Sequence, residues 1–140
     1  MVSEVSQMIK AVYDEFVGLE FNNEGNNTFY DFIKPEHICQ RHSDGNIILI
    51  HETDIEPTGI IEITKENHIR LFFVKKEFHN SGIGTKLFQA VIEKISPAKD
   101  YITVNASTYS EKIYAKLGFI KTDDLIIMNG MKFIPMRRKI

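Results

Sequence analysis

Cysteine is nearly absent. The 140 residues contain one, Cys39, which excludes an internal disulfide framework. Neither sign of charge is in excess: 17 Lys and Arg stand against 19 Asp and Glu, a net charge of −2. No global basic field therefore exists to attract nucleic acid. The terminal basic run Arg137, Arg138, Lys139 reads as a solvated strand end. Long apolar runs are missing too. None approaches the roughly 20 residues needed to span a bilayer, and the opening MVSEVSQMIK lacks the basic start, apolar stretch and cleavage site of a secretory leader. A cytoplasmic protein in a reducing compartment is expected, without a membrane or nucleic-acid partner. His37, Cys39 and His42 lie close together, but no second ligand pair follows at zinc-site spacing, so no metal is expected and the two histidines read as loop residues.

What is present is enough for one domain, residues 1–140, with a real core. Val5, Met8, Ile9, Val12 and Phe16 recur at helical spacing, with Ser3 placed to cap and Gly18 to terminate. Asn22 to Asn27 reads as a turn-rich loop, and Phe29, Tyr30 and Phe32 as a brief helix or helical turn stopped before Pro35. The period then shortens. Strands are expected over 46–52, 58–64 and 68–74, an antiparallel meander. From Gly82 the apolar set Ile83, Leu87, Phe88, Val91, Ile92 and Ile95 returns to helical spacing and stops at Ser96–Pro97, ahead of a strand over 101–106. Strand, helix, strand implies a right-handed parallel crossover. Thr108 and Glu111 form a capping box, Ile113 and Leu117 an apolar stripe, and Gly118 a helix stop. Two more strands, roughly 125–128 and 132–138, flank the Asn129–Gly130 turn. The fold class is α+β with a mixed sheet.

One stretch carries chemistry: FVKKEFHNSGIGTKL, Phe73 to Leu87. It is not a Walker loop, because Gly82 and Gly84 are separated only by Ile83. Nor is it a dinucleotide fingerprint, because the third glycine position is Leu87. Yet Ser81, Gly82, Ile83 and Gly84 sit where a strand passes into a helix N-terminus. Backbone N–H groups and the helix dipole point the same way there, which suits a pyrophosphate; the plainer alternative is a flexible turn.

The second motif, NASTYSEKIYAKLGF from Asn105 to Phe119, lies one helix and one strand downstream. With both in view the chain resembles the GNAT superfamily of acyl-CoA-dependent N-acyltransferases. In that family a strand leads into Arg/Gln-x-x-Gly-x-Gly/Ala and a later helix ends Tyr-x-x-Leu-Gly-Phe. Here Phe72-Phe73-Val74 ends the strand, His79-Asn80-Ser81-Gly82-Ile83-Gly84 forms the loop, and Tyr114-Ala115-Lys116-Leu117-Gly118-Phe119 ends the helix. His79 stands where the family has Arg or Gln, Lys76 where proline is common, and the strand that often precedes the first helix is short or missing. The resemblance implies a mostly antiparallel central sheet flanked by helices, acetyl-CoA as co-substrate, an amine acceptor, and room for a homodimer.

The resemblance also implies roles. The backbone of Phe73 and Val74 contacts pantetheine and thioester, and Asn80 to Thr85 wrap the pyrophosphate, with Phe72 and His79 beside them. Asn105 and Ser107 orient the pantetheine amides. Tyr114 donates a hydrogen bond or proton to the departing thiolate. An amine is cationic at neutral pH, so a base is needed. Glu62, a carboxylate flanked by Ile61 and Ile63 in mid-strand, needs a partner or a purpose and is the expected base. His68 is the rival, with a better placed pKa. Cys39 has no role, since an acyl-cysteine route needs a matched histidine. The reaction expected is direct acyl transfer in a ternary complex; the alternative is an acyl-CoA-binding sensor without turnover.

Overall fold

The computed structural model describes residues 1–95 and 99–140. The chain opens with helix α1 (Val2–Phe16), whose buried Val5, Met8, Ile9 and Val12 form one face. It begins ahead of Ser3, and no side chain caps it. A 3-10 turn, Gly18–Glu20, leads on to α2 (Asn23–Phe32) and α3 (Pro35–Ser43).

Two expectations change here. The asparagine-rich stretch is helical, because the Asn22 side chain accepts a hydrogen bond from the Gly25 amide at 2.9 Å and so starts α2. Pro35 starts a helix rather than only ending one: in the first turn its missing N–H is an orphan in any case. His37 and His42 therefore lie on α3, where Glu36 at the start and Arg41 and His42 at the end complement the helix dipole.

Strands β1 (Ile47–Glu52), β2 (Pro57–Ile63) and β3 (His68–Val74) form the antiparallel meander. A crossover through α4 (Ile83–Ile92) brings β4 (Tyr101–Ala106) parallel to β3. After α5 (Glu111–Lys116) come β5 (Ile120–Lys121), β6 (Ile126–Met128) and β7 (Met131–Lys139). The order is β1-β2-β3-β4-β7-β5, with β6 paired to β7. This is an α+β fold built on a mostly antiparallel seven-stranded sheet. β5 is two residues long, too short to carry a period. The stop expected at Ser96–Pro97 lies outside the described residues. The Thr108 capping box does not form: the Thr108 hydroxyl donates to Glu20, and Ser110 precedes α5 without a side-chain cap bond.

Alternation along β2 divides the interior. Ile61 and Ile63 pack with Leu87, Phe88 and Val91 beneath α4, while Ile60 packs with Val5, Ile9 and Leu71 beneath α1. Helices thus cover both faces of the sheet. Glu62 shares the Ile60 face and is completely buried. Arg137 and Arg138, in the terminal basic run, lie over the rings of Tyr101 and Phe88 at 4.3 Å and 5.3 Å to the centroids. Among the described residues no helix is long and apolar enough to cross a membrane, and no three His, Cys, Asp or Glu side chains gather as metal ligands would.

Candidate active site

Among the described residues β3 and β4 are the one parallel pair in the sheet, with His68 opposite Thr103 and Ile69 opposite Val104. Beyond those residues β3 stays with β2 and β4 stays with β7, so a gap opens between them. It widens into a cleft of about 770 Å³ that takes side chains from both faces of the sheet. A smaller depression of about 380 Å³, lined by residues of α2 and α3 including Asp31, His37 and Arg41, lies apart from the glycine loop.

One side of the cleft is mostly backbone. Lys75 donates its amide to Thr58 of β2 at 2.8 Å; alternation along an antiparallel strand then turns the Phe72 and Val74 amides toward the gap, and that of Phe73 toward β2. The Val74 carbonyl is not free. The His79 side chain folds back and donates from Nε2 to it at 2.7 Å, so the imidazole is held at the strand end instead of reaching outward. Asn80 and Gly82 take left-handed φ of 62° and 88°, which aims the chain into α4. No side chain caps Gly82, and the first-turn amides of Ile83, Gly84 and Thr85 lie at the cleft with no intrahelical acceptor. A Cβ added at Gly82 would meet nothing within 4 Å, and one at Gly84 would rest 3.7 Å from Phe72 and Val74. The protein thus leaves room for a ligand to approach this turn closely.

Across the gap, Asn105 and Ser107 at the end of β4 line the cleft, as does Tyr114 from α5. The Ser107 hydroxyl is engaged locally, accepting from the Ser110 amide at 3.2 Å and bonding the Ser110 hydroxyl at 2.8 Å. Asn105 is exposed. Tyr114 is only 5 % exposed, its ring packed against Phe72 and Phe119 at centroid distances of 5.9 Å and 5.3 Å. Burial pushes its phenol well above the ordinary value. Among the described residues no buried side-chain polar atom lacks a partner, and no protein group pairs with the Tyr114 hydroxyl, so the hydroxyl is the part of Tyr114 that meets the cleft.

The far end is aromatic. Tyr13 stacks on Phe29 at 3.9 Å, Phe29 meets Phe73 at 5.8 Å, and Phe16 bridges the mouth, 5.2 Å from the His79 ring and 4.8 Å from the Tyr109 ring. Arg70 and Lys132 add charge. The strand pattern did not single out these residues. Arg70 does carry a signal, a lone charge inside HIRLFFV, and it coincides with the register shift between β2 and β3.

The two candidate bases part company. Glu62 does not line the cleft. Its Oε2 accepts from Arg41 Nε at 2.7 Å and from Asn46 at 2.8 Å, and its Oε1 accepts from Arg41 Nη2 at 3.1 Å. The mid-strand carboxylate has the partner it needed, and that partner comes from α3, the helix the sequence pattern missed. His68 does line the cleft, with Nδ1 2.7 Å from the Thr103 hydroxyl. Burial, aided by the Arg70 charge, holds its imidazole below the ordinary 6.5. Of the expected site residues, Phe72 to Val74, His79 to Thr85, Asn105, Ser107 and Tyr114 all border this one cleft, and Glu62 stands apart.

Comparison with known proteins points the same way as the geometry. A GCN5-related N-acetyltransferase structure from Rhodopseudomonas palustris superposes with a TM-score of 0.81 at 18% identity, over 99% of this chain and 89% of that one. The PaiA N-acetyltransferase of Thermoplasma acidophilum, in complex with coenzyme A, gives 0.75 at 16% identity over 99% and 92%. A GNAT-family acetyltransferase from Staphylococcus aureus Mu50 gives 0.74 at 18% identity over 99% and 92%. No curated protein sequence matches. These structural likenesses speak to the fold. The family model described as an acetyltransferase (GNAT) domain, however, matches residues 17–140, a span that contains the splayed strands, the glycine turn and Tyr114, and the chain therefore belongs to the GNAT acetyltransferase family.

Proposed function

We propose that the protein transfers an acetyl group from acetyl-CoA to a primary amine by direct attack within a ternary complex. The observation that carries this reading is the gap between β3 and β4, with uncapped helix amides on one side and the Tyr114 hydroxyl on the other. The first-turn amides of α4 take the pyrophosphate, where donors and helix dipole coincide. Pantetheine runs between the end of β3 and Asn105 on β4, and the thioester carbonyl meets the inward amides of Phe72 and Val74. As the amine attacks, a negative charge develops on that oxygen, and a fixed backbone donor stabilises it without reorganisation. The C–N bond forms, the C–S bond breaks, and the sulfur leaves as thiolate. A phenol is protonated at neutral pH, and burial raises the pKa of Tyr114 further, so it donates a hydrogen bond to the sulfur.

The base role passes from Glu62 to His68 in this scheme. The Thr103 hydroxyl holds Nδ1, leaving Nε2 to receive the ammonium proton. His68 stands four residues before Phe72, about 13 Å along the strand, so the proton reaches the imidazole through a chain of waters. Because its pKa is lowered, the imidazole is neutral and ready at pH 7. The test is thiol release from acetyl-CoA with a panel of amine acceptors, paired with mass detection of the acetylated product. Acceptor-dependent release is expected. Acetyl-CoA binding with no transfer to any amine would contradict the reading and favour a sensor.

A further inference from the structure

Two arginines approach one phenyl ring. Arg41 lies over Phe32 at 3.6 Å and Arg70 at 4.8 Å, but their charges meet different fates. Arg41 is neutralised by Glu62. Arg70 forms no ion pair among the described residues, is exposed, and opens onto the cleft between His68 and Phe72. Lys132 of β7 also lines the cleft and also lacks a carboxylate partner among the described residues. No Asp or Glu among the described residues lines the cleft. Several acids on the surrounding helices are engaged elsewhere: Asp14 holds Lys10 and Tyr30, Asp31 holds Lys34, and Glu15 holds Lys76. The acceptor end is therefore an aromatic chamber whose charged groups are all basic.

A polycationic amine entering it would meet like charge with no carboxylate to offset it. An amine that also carries a carboxylate would meet the opposite. Building on the acetyl-transfer reading, we infer that the acceptor is a small amine bearing both a carboxylate and an apolar body, the chemistry of an apolar or aromatic amino acid, with Arg70 as the residue that reads the carboxylate. Placement supports the match. Arg70 lies on β3 two residues from His68 and two from Phe72, so an anion bound there sets its amine between the proton acceptor and the thioester. The guanidinium offers two parallel N–H donors to a carboxylate, and its lean against Phe32 limits how far it moves. The apolar body then rests against Phe29 and Phe133 in place of water.

The experiment measures binding of L-phenylalanine, 2-phenylethylamine and spermidine to the CoA-saturated protein by calorimetry, and the kcat/KM of each with acetyl-CoA. Phenylalanine is expected to bind about tenfold more tightly than 2-phenylethylamine, an exposed charge-assisted contact rather than a buried one, and spermidine is expected to give no heat. Arg70→Gln should shrink the phenylalanine preference to within about threefold, whereas Arg70→Lys, which keeps the charge without the fork, should fall between. Equal binding of phenylalanine and 2-phenylethylamine, tighter binding of spermidine, no binding of phenylalanine, or an unchanged preference in Arg70→Gln would each overturn the inference. The calorimetric preference is read without turnover. A protein that prefers phenylalanine but never acetylates it would contradict the acetyl-transfer reading and leave the carboxylate assignment standing.

Discussion

The two sides of the cleft are made of different material. From Phe72 to Thr85 the wall is backbone: inward amides on β3, left-handed turns at Asn80 and Gly82, and the uncapped first turn of α4. At the far end the wall is side chains, rings from α1 and α2 with Arg70, His68 and Lys132 set among them. The first side depends on glycine spacing within one continuous stretch of chain, residues 72–85. The second depends on helices and strands more than 100 residues apart meeting in space. Backbone contacts are indifferent to most substitutions, so that side suits a ligand common to a family. The side-chain end can diverge with each acceptor.

That contrast can be broken from the acceptor side first. Arg41 holds the buried Glu62 carboxylate beneath this end, and removing one partner of such a pair leaves an uncompensated charge. Arg41→Ala should lower the stability to urea unfolding by about 3 kcal/mol, the low end of the range for buried pairs because Arg41 is still 18% exposed. Glu62→Gln keeps the shape and removes the charge. If Glu62 is structural, the glutamine variant retains turnover within about twofold of the parent, and a tenfold loss would restore it as a base.

Tyr114 stands on the boundary between the two sides. Tyr114→Phe is expected to keep acetyl-CoA affinity while turnover falls roughly a hundredfold, the low end of a general-acid effect. Unchanged turnover would reduce Tyr114 to a packing role. A smaller effect, about tenfold on kcat, is expected for His68→Gln. The pH dependence has a defined sign. In the proposed scheme His68 acts when neutral, and its pKa lies below 6.5, so kcat should be level from neutral pH upward and fall as acid protonates the ring, at a pH below that of free imidazole. In His68→Gln that acid limb should disappear; its persistence would assign it to another group.

Much of the fold was readable from period and punctuation. The meander, the crossover helix and the Asn129–Gly130 hairpin all arise from local patterns. α3 was not, because Pro35 reads equally as a stop and as a first-turn residue, and only the chain after it decides. The same blind spot hid the setting of Glu62. A carboxylate in mid-strand looks available until Arg41 is placed opposite it, and that contact spans 21 residues of sequence. His79 stands in the family's arginine or glutamine position, yet its bond to Val74 is a matter of rotamer and turn geometry that no spacing reveals. The glycine-turn wall of the cleft was legible because its glycines mark backbone. The aromatic chamber was hidden because Tyr13, Phe29 and Phe133 each look like ordinary core residues within their own elements.

The most direct test is a calorimetric titration of acetyl-CoA into the native protein and into Gly84→Val. The added Cβ rests at ordinary contact distance from Phe72 and Val74, so the fold tolerates it, while the branched methyls crowd the turn that the pyrophosphate must approach. Saturable binding at one site per chain is expected in the native protein and none in a folded Gly84→Val. No heat at millimolar acetyl-CoA, or equal affinity in the valine variant, would contradict that expectation.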